Sequence, residues 1–449
     1  MSDDVLTIKD KQNRPQTRRK LGASIGIGAT LTSVLLAGCS MLAGAQFGKV
    51  PDVGTAARAG LNAGGAVAAV SMTAPGADRI ERIHTSPNYN DGAFRNLVNL
   101  PKPGSTGSIW AALYDWFAGR AERAPSGEMP VAQLENLRMG DGLTHVTWMG
   151  HSTVLIEIDG KLVMTDPVFS DHASPYAWLP PKSFYKTMPV SLDDIDFIDV
   201  VLISHDHYDH LDHKTMTALA KKVGQFVVPL GVGSHLQHWG IDEERTTELD
   251  WWQNTTIATL TLTATPAQHF SGRTLSGGNE TLWAGWAIKG RSENIFFSGD
   301  TAYFPGFKDI GEKLGPFDLT LIECGAYNEA WSNVHMFPEQ TAKAHRDLKG
   351  KVLLPIHWGR FDLALHPWTE PVERLNVAAK TAGINVTQPR IGERFALNGN
   401  LPQTAWWRGA EGKQTARATA GPVAENALDR AEAAVRGGFR SQTLGHLAP

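Results

Sequence analysis

Cysteine is nearly absent: Cys39 and Cys324 are the only two in 449 residues. That excludes a disulfide framework and a thiolate zinc site, so any bound metal rests on nitrogen and oxygen donors. A basic excess is missing as well. Lys and Arg sum to 42 against 46 Asp and Glu, a net charge of −4, and nothing there marks a nucleic-acid binder. The apolar run from Leu21 to Ala37 is too short and too glycine-rich for a spanning helix. What the chain does have is core and imidazole. Apolar residues make up 42% and charged residues 20%, which excludes disorder throughout, and there are 16 His and 14 Trp.

The first forty residues read as an address. Lys9, Lys11, Arg14, Arg18, Arg19 and Lys20 form a basic opening, the apolar run follows, and Leu36-Ala37-Gly38-Cys39 closes it. A basic start, a short apolar stretch and small residues before a cut make a secretory signal. The tetrapeptide resembles a bacterial lipobox, whose cysteine is lipidated as the first residue of the mature protein. Ser40 after it resembles the outer-membrane sorting pattern. The expected layout is a signal over 1–39 with lipidated Cys39, an Ala- and Gly-rich flexible tether over 40–78, a body over 79–409 and a weakly ordered tail over 410–449. The expected location is the bacterial cell envelope, on the outer membrane, anchored through Cys39.

Within the body, β-branched runs alternate with helical patterns and polar loops, which predicts an α/β fold. His145 to Met149 and Thr153 to Ile158 read as strands around Gly150-His151-Ser152, and Asp159-Gly160 turns into a third strand, Leu162 to Thr165. Further strands are expected from Val200 to Ile203, Phe226 to Val228, Thr256 to Ala264, Leu282 to Ile288, Asn294 to Phe297, Leu319 to Ile322 and Val352 to Pro355. Thr215 to Lys222 and Pro338 to Leu348 read as helices.

Several of these strands run directly into metal-type residues. The Val200 strand ends in His205-x-His207-x-Asp209-His210, three imidazoles and a carboxylate within six residues. Downstream, strand-like segments end at Gln268-His269, Gly299-Asp300 and Ile356-His357. Alternate residues of an extended turn point together, so His205 and His207 can reach one ion while Asp209 and His210 reach a neighbour. Imidazole and carboxylate suit zinc, with iron and manganese as alternatives. Taken singly, His269 or His357 reads as an ordinary core or rim histidine. Taken in this order with the cluster, they read as ligands.

In that order the chain resembles the metallo-β-lactamase-fold hydrolases. Within them it resembles the N-acylphosphatidylethanolamine-hydrolysing phospholipase D branch and its bacterial relatives. Besides the ligand motifs, the resemblance is carried by Ser86-Pro87-Asn88-Tyr89, Trp148-Met149-Gly150-His151-Ser152-Thr153, Thr165-Asp166-Pro167 and Glu248-Leu249-Asp250-Trp251-Trp252. It covers residues 84 to 395. The resemblance implies a four-layer αββα sandwich with two metal ions, zinc by preference, at the sheet edge. One ion falls to His205, His207 and His269, the other to Asp209, His210 and His357, and Asp300 bridges them. Asp209, Asp300 and His335 are the implied catalytic residues, His335 facing the substrate. The implied activity is cleavage of N-acylphosphatidylethanolamine-like lipids to phosphatidic acid and an N-acylethanolamine. Two other readings stay open: a same-fold hydrolase of a soluble ester, lactone or phosphodiester, and a non-catalytic metal- or ligand-binding envelope lipoprotein.

Four secondary readings accompany these. Asp166 is expected to orient a ligand histidine, and His151 to support the site or the fold. Tyr303, Phe304, Phe307 and Trp331 read equally as an acyl groove or as core. The stretch from Tyr176 to Pro189 reads equally as an interfacial lid or as packing.

Overall fold

The structure, a computed structural model, describes residues 78–99, 122–176, 178–273 and 278–410. The expected signal with Cys39, the tether up to residue 77 and the tail from 411 lie outside them. A short hairpin, β1 (Tyr89–Asn90) and β2 (Ala93–Phe94), precedes two seven-stranded sheets. The first sheet contains β3 (His145–Trp148), β4 (Val154–Ile158), β5 (Lys161–Thr165), β6 (Ile198–Leu202), β7 (Val223–Pro229) and β8 (Thr246–Leu249). The second contains β9 (Asn254–Ile257), β10 (Leu260–Thr265), β11 (Gly285–Lys289), β12 (Asn294–Phe297), β13 (Phe317–Glu323), β14 (Gly350–Ile356) and β15 (Asn385–Val386). Finally β16 (Arg394–Ala396) returns to pair with β3 of the first sheet.

Period-2 alternation sorts the side chains into layers. In the first sheet Val154, Ile156, Ile158, Val163, Val200 and Leu202 face inward, in one cluster with Leu262, Trp286, Ile288 and Leu321 of the second. The residues between them, Leu155, Leu162, Met164 and Val201, face outward onto Met216, Leu219 and Leu236 of helices His213–Leu219 and Gly233–His238. Helices Gly306–Lys313, Pro338–Asp347 and Glu370–Ala382 supply Phe307, Ile310, Ala344 and Leu375 to the core on the other side. The result is the expected four-layer αββα sandwich. Strands buried on both faces read as continuous apolar runs, which is why β6, β12 and β14 stood out in the sequence.

The two sheets share one pairing plan. From β16 through β3 and β4 to β5, every pairing is antiparallel; from β5 through β6 and β7 to β8, every pairing is parallel. The order β9 to β12, then β12 to β15, repeats it step for step. Strands β3, β5 and β6 therefore end at one edge, and β10, β12, β13 and β14 end together in the other sheet. Loops leaving those ends carry the polar residues.

Three expectations need correcting. Thr256 to Ala264 is not one strand but the hairpin β9–β10, because Ala258 sits in the left-handed region (φ 53°), a turn that no glycine or asparagine announces. The helix expected from Thr215 to Lys222 runs earlier, over His213–Leu219. The strand expected from Leu282 to Ile288 begins only at Gly285 and runs to Lys289. Of the two readings left open for Tyr303, Phe304 and Phe307, the structure favours core: both phenylalanines are buried in the core cluster, and the Tyr303 hydroxyl donates to Asp347 (2.7 Å). Among the described residues no helix is long and apolar enough to cross a membrane.

One buried bond ties the sheets beside the polar edge. Trp286 of β11 is wholly buried, and its indole N–H donates to the Ile203 carbonyl just past β6 (2.9 Å). Trp286→Phe keeps most of the apolar area but removes that donor, and is expected to lower the unfolding free energy by about 1–3 kcal/mol. Trp286→Ala adds a cavity and should cost about 3–5 kcal/mol. Urea denaturation of both variants checks the order.

Candidate metal centre

Four strand ends bring the polar residues to one place. The β6 loop delivers His205, His207, Asp209 and His210; β10 leads to His269, β12 to Asp300, and β14 to His357. Ser204 and Gly299, the residues just before the first histidine and before Asp300, set how closely the two loops approach. Gly299 has φ 56°, and a Cβ added there would lie 2.5 Å from Ser204 Cβ. A side chain at 299 would thus push the loops apart as well as strain the backbone. His357 (φ 63°), His151 (φ 54°) and Asp166 (φ 35°) also occupy positive-φ conformations that non-glycine residues rarely adopt. The His151 and His357 turns hold each other: His357 N–H donates to His151 O (3.0 Å) and His151 N–H to Trp358 O (3.1 Å).

All seven residues singled out in the sequence meet there. His205 Nε2 is 2.8 Å from His207 Nδ1, which is 3.3 Å from His269 Nε2, a compact three-nitrogen group. Asp209 Oδ2 is 3.3 Å from His210 Nε2 and 3.5 Å from His357 Nε2, a second group beside the first. Asp300 Oδ2 lies between them. It is 3.9 Å and 3.8 Å from Nε2 of His205 and His269, and 3.2 Å and 3.0 Å from Nε2 of His210 and His357.

Three of the imidazoles are turned by a partner on the other nitrogen. His269 Nδ1–H donates to the Val334 carbonyl (3.0 Å), His205 Nδ1 meets Ser204 Oγ (2.8 Å), and His210 Nδ1 meets Asp166 Oδ2 (2.7 Å). Asp166 is itself fully buried and takes the Ser204 N–H (2.7 Å) and hydroxyl (2.6 Å). It orients His210, as expected. His151 supports the site: its Nε2 is 2.9 Å from Asp209 Oδ2, and its ring lies 4.2 Å from that of His357.

Charge divides the two groups. Burial, reinforced for His205 by its neighbouring imidazoles, holds His205 and His269 well below the usual imidazole pKa, and burial brings His207 down to about 4. These three present neutral lone pairs. In the second group burial also opposes charge, but Asp300 and Asp209 outweigh it, raising His210 well above its ordinary value and His357 to about 10. Burial would raise Asp300 and Asp209; the facing His210 and His357 instead hold both well below the carboxylate range. Positive charge is therefore demanded between these carboxylates. Nε2 of His210 and His357 and Oδ1 of Asp300 are buried yet make no well-aligned hydrogen bond. Neutral imidazoles, ionised carboxylates and open donor atoms on a shared centre fit divalent cations.

His335 adjoins the cluster, its ring 5.1 Å from that of His269 and 5.2 Å from that of His357. Its Nδ1 is held by Glu323 Oε2 (2.8 Å), while Glu323 Oε1 accepts the Met336 N–H (2.9 Å). Glu323 is fully buried, and burial pushes its carboxyl pKa up against the pull of His335. Glu323 is not among the site residues expected from the sequence. Its signal was the same as for Asp300, an apolar strand (β13) running straight into a carboxylate.

Residues 161–358 match the family described as "Beta-lactamase superfamily domain". An uncharacterised protein of Mycobacterium tuberculosis is 43% identical over 332 residues, covering 72% of this chain and 88% of the relative. An N-acyl-phosphatidylethanolamine-hydrolyzing phospholipase D of Caenorhabditis elegans is 38% identical over 243 residues, 51% of this chain and 68% of the relative. The outer membrane protein RomA of Klebsiella pneumoniae is 46% identical over 101 residues, 22% of this chain and 76% of the relative. With its double-sheet sandwich and the histidine–aspartate cluster at the strand ends, the chain belongs to the metallo-β-lactamase-fold superfamily of metal-dependent hydrolases.

Proposed function

We propose that the chain is a dinuclear zinc phosphodiesterase of phospholipase D type, acting on N-acylphosphatidylethanolamine-like lipids. The observation that carries it is the position of Asp300 Oδ2, within 3.9 Å of an imidazole nitrogen from each member of two histidine pairs. In this reading His205, His207 and His269 would hold one ion, Asp209, His210 and His357 the other, with Asp300 available to both. Iron or manganese would satisfy the same donors. A bound pair of ions supplies Lewis acidity and makes a water acidic enough to ionise near neutral pH. The lipid substrate class is supported by the phospholipase D relative, whose name states that substrate for that protein.

The protein's own groups have defined tasks in this reading. His151 and Asp166 fix Asp209 and His210. Glu323 holds His335 through Nδ1, leaving Nε2 free to give a proton to the departing oxygen. A water oxygen bonds to phosphorus and gives up a proton to solvent, the bond from phosphorus to the ethanolamide oxygen breaks, and the proton from His335 completes the alcohol, His335 then regaining one from solvent. The phosphate stays on the diacylglycerol.

Removal of a ligand separates binding from folding. His207→Ala is expected to lose about one metal equivalent and nearly all turnover while keeping its fold; unchanged metal by elemental analysis would sink the assignment. Hydrolysis in ¹⁸O-water is expected to label phosphatidic acid and leave the ethanolamide unlabelled. Label in a carboxylate, with phosphodiesters untouched, would instead establish an esterase or lactonase.

We further propose envelope location through lipidated Cys39, which the RomA relative supports by its name alone. One acyl chain binds membranes only marginally, whereas two or more anchor stably. Cys39→Ser should therefore leave the membrane fraction or persist as unprocessed precursor, and mass spectrometry showing unmodified Cys39 in soluble wild-type protein would refute it.

A further inference from the structure

The chain leaving β14 carries two more titratable residues, Asp362 and His366, five and nine positions past His357. Both line an open cleft that reaches His357 itself and encloses about 320 Å³, solvent at its mouth included. Its other walls are mainly apolar, among them Phe184, Phe361, Leu363, Ala364 and Trp368. The Trp368 N–H donates to the Glu122 carbonyl (3.0 Å), and Arg123 next to it joins the lining.

The polar groups of this cleft are not spent on one another. Arg123 Nε lies 3.6 Å from Asp362 Oδ2, an ion pair too long for a hydrogen bond. Asp362 Oδ1 is closed off from solvent and has no hydrogen-bond partner among the described residues. Burial pushes the carboxyl up to about 6 against the pull of Arg123. His366 is committed on one side only. Its Nδ1–H donates to the Pro367 carbonyl (2.9 Å), and its ring stacks on that of Tyr327 at 4.3 Å. Burial holds the imidazole below its usual pKa, so it is neutral and Nε2 is a lone pair. That Nε2 is likewise closed off and unpartnered among the described residues.

Both open atoms are thus acceptors, beside apolar walls and next to the metal centre. An unpaired acceptor shielded from water is costly, so a ligand N–H that reaches it recovers more than the same bond at a hydrated surface. Arg123 and Asp362 balance each other's charge, which leaves little net attraction for a cationic headgroup. A neutral secondary amide answers all three features. Its N–H meets an acceptor, the guanidinium carries only donors toward its carbonyl, and the apolar walls take the hydrocarbon beyond. His335, the proton donor of the proposed reaction, stacks on His357 at 5.2 Å, so the departing oxygen and this cleft share one side of the centre. We propose that the cleft receives the leaving group, Asp362 and His366 recognising the amide N–H of an N-acylethanolamine. This rests on the phospholipase reading and assigns the residues that select its amide.

The test separates recognition from hydrolysis. N-hexanoylethanolamine and its N-methyl form, which lacks the N–H, are titrated calorimetrically into the metal-loaded full chain. Wild type is expected to bind the secondary amide about tenfold more tightly, the scale of one hydrogen bond to a charged group. Asp362→Leu and His366→Phe should each erase most of that preference. The second keeps a ring on Tyr327 and decides the matter if the first fails to fold. Because the readout is a ratio within one protein, a general loss of affinity cancels. Equal binding of the two amides by wild type, or binding of neither, overturns the proposal. So does a preference unchanged in the variants. Loss of metal from both variants also overturns it, since Asp362 and His366 would then be supports of the His357 turn. An N–H preference in binding, with no cleavage of any N-acylphosphatidylethanolamine, keeps the cleft assignment and defeats the phospholipase reading.

Discussion

Asp300 and Asp209 are ionised carboxylates enclosed with five imidazoles where water is scarce, and the molecule is arranged around keeping that charge compensated. Burying one unpaired carboxylate costs several kcal/mol, and two side by side cost more through repulsion. Without a bound cation His210 and His357 answer both by holding protons, which a metal ion would displace, and three neutral imidazoles complete the ring. The balance holds only if the strand ends from both sheets stay in register. The first sheet brings His205, His207, Asp209 and His210; the second brings His269, Asp300 and His357. Neither half has a complete site. Because any ion held there binds the folded state alone, its binding free energy adds to the cohesion of the two sheets.

That requirement explains where strain is tolerated. His151, Asp166 and His357 keep positive φ angles because each is held from several sides. The reciprocal hydrogen bonds between the 151 and 357 turns cross from one sheet to the other, and the Trp148 indole N–H donates to His151 O (2.8 Å). Behind them Trp148 and Trp358 stack at 5.3 Å, and Trp358 and Trp406 at 5.5 Å. A rigid aromatic wall is a good backing for a ligand loop, since large flat rings leave few alternative packings. The generous tryptophan content finds its place there.

The ligands were legible in the sequence because the signal is local: an apolar run that stops at a histidine or aspartate. The layering was legible too, because alternation in β4 and β5 and continuous apolar runs in β6 and β12 survive in any window. Glu323 was not. It closes β13 as a strand-end carboxylate, yet nothing within a few residues says that it will meet His335 twelve positions later and approach His357 Nδ1 to 3.8 Å. The sequence marks His151 as a support but does not name what it supports, since its partner Asp209 is 58 residues away. The turn at Ala258 escaped because its backbone is set by the pairing of β9 with β10, not by a permissive residue. Local chemistry reads through; contact across the sandwich does not.

The shared pairing plan of the sheets sharpens the point, because equivalent strand ends carry like residues with unlike tasks. His151 follows β3 as His269 follows β10, and Asp166 follows β5 as Asp300 follows β12. Asp166 is saturated by the Ser204 N–H, the Ser204 hydroxyl and His210 Nδ1, so its charge is spent on orientation. Asp300 has Oδ1 open and Oδ2 facing four imidazoles. His151 is likewise committed to Asp209, whereas His269 turns its Nδ1 to a carbonyl and leaves Nε2 for the centre. Position in the topology thus brings a histidine and an aspartate to the edge twice. What each then does depends on whether its second atom already has a partner.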